Sequence, residues 1–254
     1  MKKIRVLLLL LFTVAAYLVP QRSFAIGIEA AVGAWHQNPS GDIRFLGDQL
    51  DVESDFRFDA EFEVVGRIKL DLPALLPNIY VMATPLEFEE TGNRIVTFNF
   101  GNQTFSAGVP FRSRIKLDHY DIALFYSIPF LKTATLGKLN TELGVNLRVI
   151  DFEAEVTQTG TNTSASKSFT APIPMAYAGI QFKPIKRLSI EAEARGIAFS
   201  SNHYVDLIGR VKVRLLGPLF VAGGYRYEDI EIDTRDVIGS FKFQGPFVEV
   251  GVTF

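Results

Sequence analysis

The chain has 254 residues, of which 26 are lysine or arginine, 28 are aspartate or glutamate, three are histidine and none is cysteine. The absence of cysteine excludes disulfide bonds and thiolate metal sites. The slightly acidic balance argues against a nucleic-acid-binding protein, which would carry a basic patch.

The first 25 residues have the features of a secretory signal peptide. A basic start is followed by an apolar run of 14 residues from Val6 to Val19, and a small-x-small site ends at Ala25. Because a membrane-spanning helix needs about 20 apolar residues, we predict cleavage after Ala25 rather than a retained anchor helix. The mature chain, 26–254, then keeps 22 basic and 28 acidic residues, a formal charge of −6, because four basic residues lie in the signal.

Seven segments of the mature chain alternate apolar residues with polar or small ones, and this period of two is typical of β-strands. The segments are 62–70, 120–128, 142–150, 188–195, 205–215, 219–228 and 247–254. No Asp, Glu, Lys or Arg falls on the apolar face of any of them. A soluble sandwich tolerates such residues at its margin, whereas a charge facing lipid costs about 2 to 4 kcal/mol at the bilayer midplane. The pattern therefore favours a transmembrane barrel.

Three further segments, 26–35, 78–90 and 172–182, alternate less regularly and bring the predicted strand number to ten, with eight as the alternative. Long and short connections alternate along the chain, as they do in outer-membrane barrels. We predict an all-β, antiparallel up-and-down transmembrane β-barrel of Gram-negative outer membranes, with both termini in the periplasm. The longer, extracellular loops are expected near 40–60, 91–112, 157–168, 200–204 and 232–241.

The last predicted strand, FVEVGVTF, reaches the final residue with Val248, Val250, Val252 and Phe254 on its apolar face. A barrel has no free edge, so its last strand must pair with its first. A terminal strand that ends in Phe also resembles the sorting signal that the outer-membrane assembly machinery recognises. We predict that these four residues form an assembly signal.

Several motifs resemble a family of small Gram-negative outer-membrane β-barrel proteins whose function is poorly defined. They are GAWHQNPSGDIRF after the first strand, LLPN in the first turn, FNFGNQTFSAG in a loop, PMAYAGIQF in the sixth strand and GPFVEVGVTF at the end. The resemblance covers essentially the whole mature chain and implies an outer-membrane location and a barrel fold. It carries over no catalytic residues, because these motifs describe how a barrel is built.

The polar faces of the strands carry charges of both signs, which we expect to form one network in the lumen. The predicted members are Glu63, Arg67, Lys69, Asp121, Glu142, Arg148, Glu191, Glu193, Arg195, Arg210, Lys212, Arg214, Arg226, Glu228 and Glu249. Acidic residues neighbour basic ones on adjacent strands, where like charges directly opposite would repel. Eight strands leave an interior just filled by side chains, and aqueous channels need about 16 to 18. A ten-stranded lumen of mixed charge is therefore predicted to be salt-bridged and largely plugged.

This plugged lumen favours a monomeric, non-enzymatic barrel with a structural or surface-binding role. A narrow channel or carrier for small solutes is the alternative. A barrel-embedded hydrolase acting on lipid or peptide is a second alternative, because His119 and Asp121 lie on one strand face about 7 Å apart, like the Asp/His pairs of outer-membrane proteases. The further paired aspartates of such proteases and the His-x-Ser pair of a lipid A deacylase are absent.

Two loops contain candidate ligand-binding residues. The segment 48–63 has seven carboxylates and one arginine. Such carboxylates can gather a hard cation like Ca²⁺, but the glycine of an EF-hand loop is missing, so we interpret the segment as a solvated acidic loop. In TFNFGNQTF, Phe98, Phe100 and Phe105 surround a Gly-Asn turn, which predicts an exposed strand pair above the membrane.

No cofactor or metal is predicted. The expected partners are outer-membrane lipid and lipopolysaccharide, together with the barrel assembly machinery and periplasmic chaperones during biogenesis.

If Phe254 is part of an assembly signal, its deletion or the substitution Phe254→Asp should leave export intact and lower the amount of inserted barrel. An aromatic anchor is lost at the membrane interface, and Asp adds a charge where the strand must pair. Phe254→Tyr should have a mild effect because the ring is kept. The heat-modifiable folded fraction in isolated outer membranes measures the effect, and an unchanged fraction in the deletion variant would contradict the prediction.

Overall fold

A computed structural model describes residues 26–73, 76–233 and 237–254; the predicted signal peptide lies outside these residues. In chain order the strands are β1 (Gly27–Phe45), β2 (Gln49–Asp51), β3 (Glu61–Asp71), β4 (Asn78–Thr84), β5 (Glu87–Gly92), β6 (Phe98–Phe100), β7 (Gln103–Phe105), β8 (Phe111–Ser127), β9 (Leu139–Gln158), β10 (Thr163–Ile185), β11 (Leu188–Phe199), β12 (Asn202–Arg214), β13 (Leu219–Asp233) and β14 (Val237–Thr253). A helix, α1 (Pro129–Ala134), and a 3-10 turn (Thr159–Thr161) lie in connections. No helix in the described part of the chain is long and apolar enough to cross a membrane.

The strands form a closed antiparallel barrel with ten strands in its wall, which confirms the predicted fold class. The wall has the strand order β14-β13-β12-β11-β10-β9-β8-β4-β3-β1, and β14 also pairs with β1. β5 pairs with β8 beyond the end of β4, so that β4 and β5 together form one strand of the wall. The first and last strands pair from Glu29 opposite Thr253 to Phe45 opposite Val237. The backbone N–H of Phe254 also donates to the carbonyl of Ile28 at 2.8 Å. This pairing satisfies the edge that would otherwise be open.

The outer wall carries a continuous apolar belt. Its most exposed side chains are Phe62, Val64, Val81, Tyr120, Ile122, Leu124, Tyr126, Leu143, Val145, Leu147, Ile180, Phe182, Ile190, Leu207, Val211, Val213, Val221, Tyr225, Val248 and Val250. On β8 the alternation is regular from Phe111 to Phe125, with every second side chain buried inside. Such an array of large apolar side chains is unsuited to water.

The belt ends where charged side chains begin on the same outward face. Along β8, Tyr120 is followed toward the end of the barrel opposite the termini by Asp118 and Lys116. The ammonium of Lys116 donates a hydrogen bond to Asp151 on β9 at 2.9 Å. This hydrogen bond holds the pKa of the Asp151 carboxyl below its usual value. An ionised pair at this level marks the boundary between the apolar belt and a water-facing surface.

All five loop segments expected from the sequence are shorter in the structure, and the difference is largest for three of them. β1 continues to Phe45, β9 and β10 are joined only by residues 159–162, and β13 and β14 extend to Asp233 and from Val237. The segment TQTGTNTSASKS lacks an apolar face, which suggested a loop. The paired ends of β9 and β10 extend beyond the apolar belt as a two-stranded ribbon, and both faces of this ribbon can contact water. Because neither face needs apolar side chains there, the backbone pairing continues without apolar alternation, for example at Ser164 opposite Thr157.

We expect Leu124→Arg to destabilise the barrel in bilayers by about 2 to 4 kcal/mol, because it places a charge in the middle of the apolar belt. Ser166→Arg, on an exposed position of the β9–β10 ribbon, is the control and should change stability by less than about 0.5 kcal/mol. The measurement is urea unfolding in lipid vesicles. Equal unfolding midpoints for the two variants would show that the belt does not face lipid.

Candidate functional site

Three arginines meet one carboxylate in the middle of the barrel. Asp206 on β12 accepts hydrogen bonds from Nε and Nη2 of Arg226 at 3.0 and 2.9 Å and from Nη2 of Arg148 at 2.5 Å. Nη1 of Arg195 lies 3.6 Å from the same carboxylate. Because a buried charge is costly unless it is paired, Asp206 fixes three guanidinium groups at one level of the lumen.

Two further carboxylates balance these arginines. Asp121 accepts two hydrogen bonds from Arg148, both at 2.9 Å, and Glu228 forms an ion pair with Arg226. Nε2 of His119 lies 3.2 Å from both Glu228 and Arg226. We call this group the central cluster; its members are Asp121, Arg148, Arg195, Asp206, Arg226, Glu228 and His119. Three arginines thus face three carboxylates within a few ångströms.

Aromatic rings enclose the central cluster. The guanidinium carbon of Arg148 lies 4.6 Å from the ring centre of Tyr204, and that of Arg226 lies 4.6 Å from the ring centre of Trp35. The hydroxyl of Tyr204 donates to Glu228 at 3.0 Å. Such rings attract cations through their negative faces and exclude water at the same time. The central cluster is therefore enclosed by aromatic rings and buried from solvent.

A second group of ion pairs lies nearer the chain termini. Arg67 donates to both carboxylate oxygens of Glu249 at 3.0 and 2.7 Å and lies 2.8 Å from Glu29. Lys212 bridges Glu29 and Glu191 at 2.8 and 2.7 Å. We call this group the lower cluster; its members are Glu29, Arg67, Lys69, Glu142, Glu191, Glu193, Arg210, Lys212 and Glu249.

The remaining lower-cluster pairs extend across the lumen. Lys69 donates to Glu142 at 2.7 Å, and Arg210 lies 2.8 Å from Glu193. Since Glu193 is also 3.1 Å from Arg195, it joins the lower cluster to the central one. The ion pairs therefore form one continuous network across the interior.

A cavity, which we call the vestibule, lies below the network and opens at the end of the barrel that carries the termini. Its volume is about 420 Å³, and Gly27 and Phe254 lie at its rim. Lower-cluster side chains form its inner end, and four basic residues, Lys183, Lys186, Arg187 and Arg214, line its outer part. It is a polar recess with a floor of ion pairs.

An apolar cap fills the opposite half of the interior. Its ten phenylalanines are Phe45, Phe56, Phe58, Phe88, Phe98, Phe100, Phe105, Phe111, Phe241 and Phe243, each at most 7% exposed. The rings of Phe98 and Phe105 stack with centres 5.0 Å apart, and Phe98 contacts Phe111 at the same distance. The interior therefore changes from polar to apolar along the barrel axis.

The predicted exposure of the TFNFGNQTF hairpin is wrong. β6 and β7 do form a hairpin, and Gly101 and Asn102 both have the positive φ angles, 60° and 61°, that such a two-residue turn requires. Its phenylalanines are nonetheless buried in the apolar cap. The hairpin folds over the end of β1, where the N–H of Gly101 donates to the carbonyl of Phe45 at 2.8 Å.

Most of the predicted network residues occupy the lumen. The structure brings together Arg67, Lys69, Asp121, Glu142, Arg148, Glu191, Glu193, Arg195, Arg210, Lys212, Arg226, Glu228 and Glu249. Glu63 and Arg214 share the inward parity but lie apart from the network, at opposite ends of the barrel. Glu63 is half-buried near the start of β3, and Arg214 is exposed at the outer part of the vestibule.

Two carboxylates and several aromatic rings of the network were not predicted from the sequence. Glu29 lies in the irregular first strand, where small residues on both faces obscured its parity. Asp206 lies on the polar face of β12 with Arg210, Lys212 and Arg214 but was not among the predicted network residues. Tyr80 and Tyr204 also face the lumen. Because they carry no charge, their inward orientation was not evident from the sequence.

The geometry at His119 and Asp121 does not support hydrolysis. Both side chains are buried, at 0% and 1% exposure, inside the central cluster. Nδ1 of His119 lies 3.1 Å from the carbonyl oxygen of Leu117, and Asp121 is occupied by Arg148 and Asn146. Neither side chain is therefore open to a peptide or lipid substrate in the part of the barrel that the structure describes.

The acidic segment 48–63 is organised by its own backbone. The side chain of Asp51 accepts hydrogen bonds from the N–H groups of Glu53 and Ser54 at 3.0 and 2.6 Å. Asp55 pairs with Arg94 at 3.0 Å. Among the described residues, no group of three or more His, Cys, Asp or Glu is arranged to hold a metal ion.

No family model and no curated protein matches the chain. Among solved structures it is similar to the outer membrane protease OmpT from Escherichia coli, with 10% identity, coverage of 92% of this chain and 99% of that chain, and a TM-score of 0.49. It is also similar to Ail, the attachment invasion locus protein of Yersinia pestis, with 11% identity, coverage of 88% and 98%, and a TM-score of 0.36. For the P. putida toluene transporter TodX the identity is 7%, the coverage 90% of each chain and the TM-score 0.31. At these identities the similarity concerns the barrel fold and assigns no activity.

We expect Asp206→Asn to destabilise the folded barrel by about 3 to 5 kcal/mol, because it leaves buried arginines without their shared counter-charge. The control is Glu89→Gln, which removes the carboxylate from an exposed ion pair with Arg112 and should cost at most about 1 kcal/mol. Both changes preserve side-chain shape, and urea unfolding in vesicles compares them. Similar midpoints would mean that the central cluster adds no more stability than a surface pair.

Proposed function

We propose that the protein is an integral barrel of the Gram-negative outer membrane that does not conduct solutes and has a non-enzymatic, structural or surface-binding role. The apolar belt supports the membrane placement, because a closed barrel with lipid-facing apolar side chains and an inward polar face satisfies every backbone group within a bilayer. The termini are proposed to lie on the periplasmic side, as the even strand number of bacterial single-chain barrels requires.

The observation that carries the proposal is the double closure of the lumen. The central cluster occupies the middle of the barrel with completely buried side chains, among them Arg148, Asp206 and Glu228. The apolar cap fills the half beyond it. A solute would have to separate buried ion pairs and then cross a layer of packed phenylalanines, and each step exposes groups at a high cost in free energy.

The two ends of the barrel then serve as separate surfaces. The end opposite the termini carries the acidic segment 48–63, whose Leu50 and Phe56 pack into the apolar cap. Asp48 and Glu53 lie on its exposed side. An acidic surface of this kind suits contact with basic or cation-bridged partners outside the cell.

Planar bilayers test the closure. We expect no single-channel steps from the purified protein, while a porin inserted under the same conditions provides the positive control. A variant that lacks residues 97–106, which form the β6–β7 hairpin, should also be silent because the central cluster remains. Reproducible steps from the unmodified protein would overturn the proposal. Steps from the deletion variant alone would assign the closure to the hairpin and contradict the role given to the central cluster.

A further inference from the structure

The vestibule has the size and the form of a binding site. Its volume of about 420 Å³ falls within the range of roughly 300 to 1,000 Å³ that is usual for small-ligand pockets. Lower-cluster side chains such as Arg67 and Lys212 close its inner end. A molecule that enters from the termini side therefore stays in a dead-end recess.

The basic residues of the vestibule divide into two groups by depth. The deep ones, including Arg67, Lys69 and Lys212, lie within 3 Å of a carboxylate. The outer ones include Lys186, Arg187 and Arg214, and within the described residues no carboxylate lies at ion-pair distance from any of these three. Within the vestibule, the basic side chains without a paired carboxylate therefore lie around the entrance, where one carboxylate, Asp71, also lines the wall.

The entrance lies at the edge of the apolar belt. The outward side chains of Leu215 and Leu219, beside Arg214, are both 46% exposed. The turn between β10 and β11 and the turn between β12 and β13 are short. In the proposed membrane placement, basic side chains at this depth are level with the phosphates of the inner leaflet, and anionic headgroups attract basic side chains near the membrane surface.

We propose that the vestibule is a phosphate-binding site, which takes either the headgroup of a phospholipid or a soluble phosphate ester. The guanidinium groups of Arg187 and Arg214 supply paired donors that match phosphate oxygens. Lys186 adds a mobile point charge beside them. The position of the entrance at the level of the lipid phosphates rests on the proposed membrane placement. The unpaired basic side chains and the recess itself do not depend on that placement.

The test uses the full-length mature barrel in a phosphate-free maltoside detergent. Isothermal titration with glycerol 3-phosphate probes the soluble source, and native mass spectrometry after mixing with phosphatidylglycerol probes the lipid source. Diacylglycerol, which lacks the phosphate, is the negative control for the lipid. We expect binding in at least one phosphate arm and no retention of diacylglycerol.

The double variant Arg187→Gln/Arg214→Gln should weaken this binding about tenfold or more, because charge-assisted hydrogen bonds are lost. The matched control is Arg44→Gln/Arg57→Gln, which removes two exposed arginines at the other end and should change affinity less than about twofold. Heat modifiability shows that both variants are folded.

Binding of glycerol 3-phosphate alone, or of phosphatidylglycerol alone, would identify the source of the phosphate. Absence of binding in both arms, or equal losses in the two double variants, would overturn the proposal. Conductance is recorded separately, so a protein that binds phosphate and also conducts would refute only the proposed closure.

Discussion

The constraint on which the rest of the structure depends is the pairing of charge inside a closed wall. A barrel with an apolar exterior must turn its polar strand faces inward, where they lose water. In a ten-stranded barrel there is little room for bulk solvent to replace it. Every inward charge therefore needs a partner across the lumen, and Asp206 meets this need by contacting three arginines at once.

The balance of charges shows how closely this requirement is met. The central cluster has three arginines and three carboxylates, and the lower cluster has four basic and five acidic side chains. Removing a single partner would leave a buried charge uncompensated, which is more damaging than never having had the pair. The ion pairs of the network therefore connect strands across the lumen and stabilise their positions relative to one another.

The sequence predicts the wall well because strand parity is local. The alternation around Leu124 or Val211 reports which side chain faces out, and neighbouring strands keep that parity. The contents of the lumen are harder to predict because they depend on register across the barrel. Asp206 contacts Arg148, which is 58 positions away, and no local pattern encodes that distance. The apolar cap was missed for the same reason: whether Phe98 faces water or a barrel end depends on how its hairpin folds back.

The middle of the barrel and its two ends differ in how completely their charges are paired, and this difference separates the structural part of the molecule from its binding surfaces. In the middle of the barrel the charged side chains of the central cluster are paired with one another, which leaves little net charge for a ligand to bind. Charged side chains without an ion-pair partner in the described part of the chain lie toward the two ends, for example in the acidic segment on one side and around the vestibule on the other. Those two ends are therefore the surfaces most available for binding partners.

The closed lumen is tested most directly by labelling a single introduced cysteine, since the natural chain has none. Ser127→Cys places a thiol at the vestibule wall, and Ser166→Cys provides an exposed reference at the other end. In proteoliposomes of uniform orientation, a membrane-impermeant maleimide should reach position 127 only from the termini side and position 166 only from the opposite side. Labelling of position 127 from both sides would show an open path through the barrel and contradict the account.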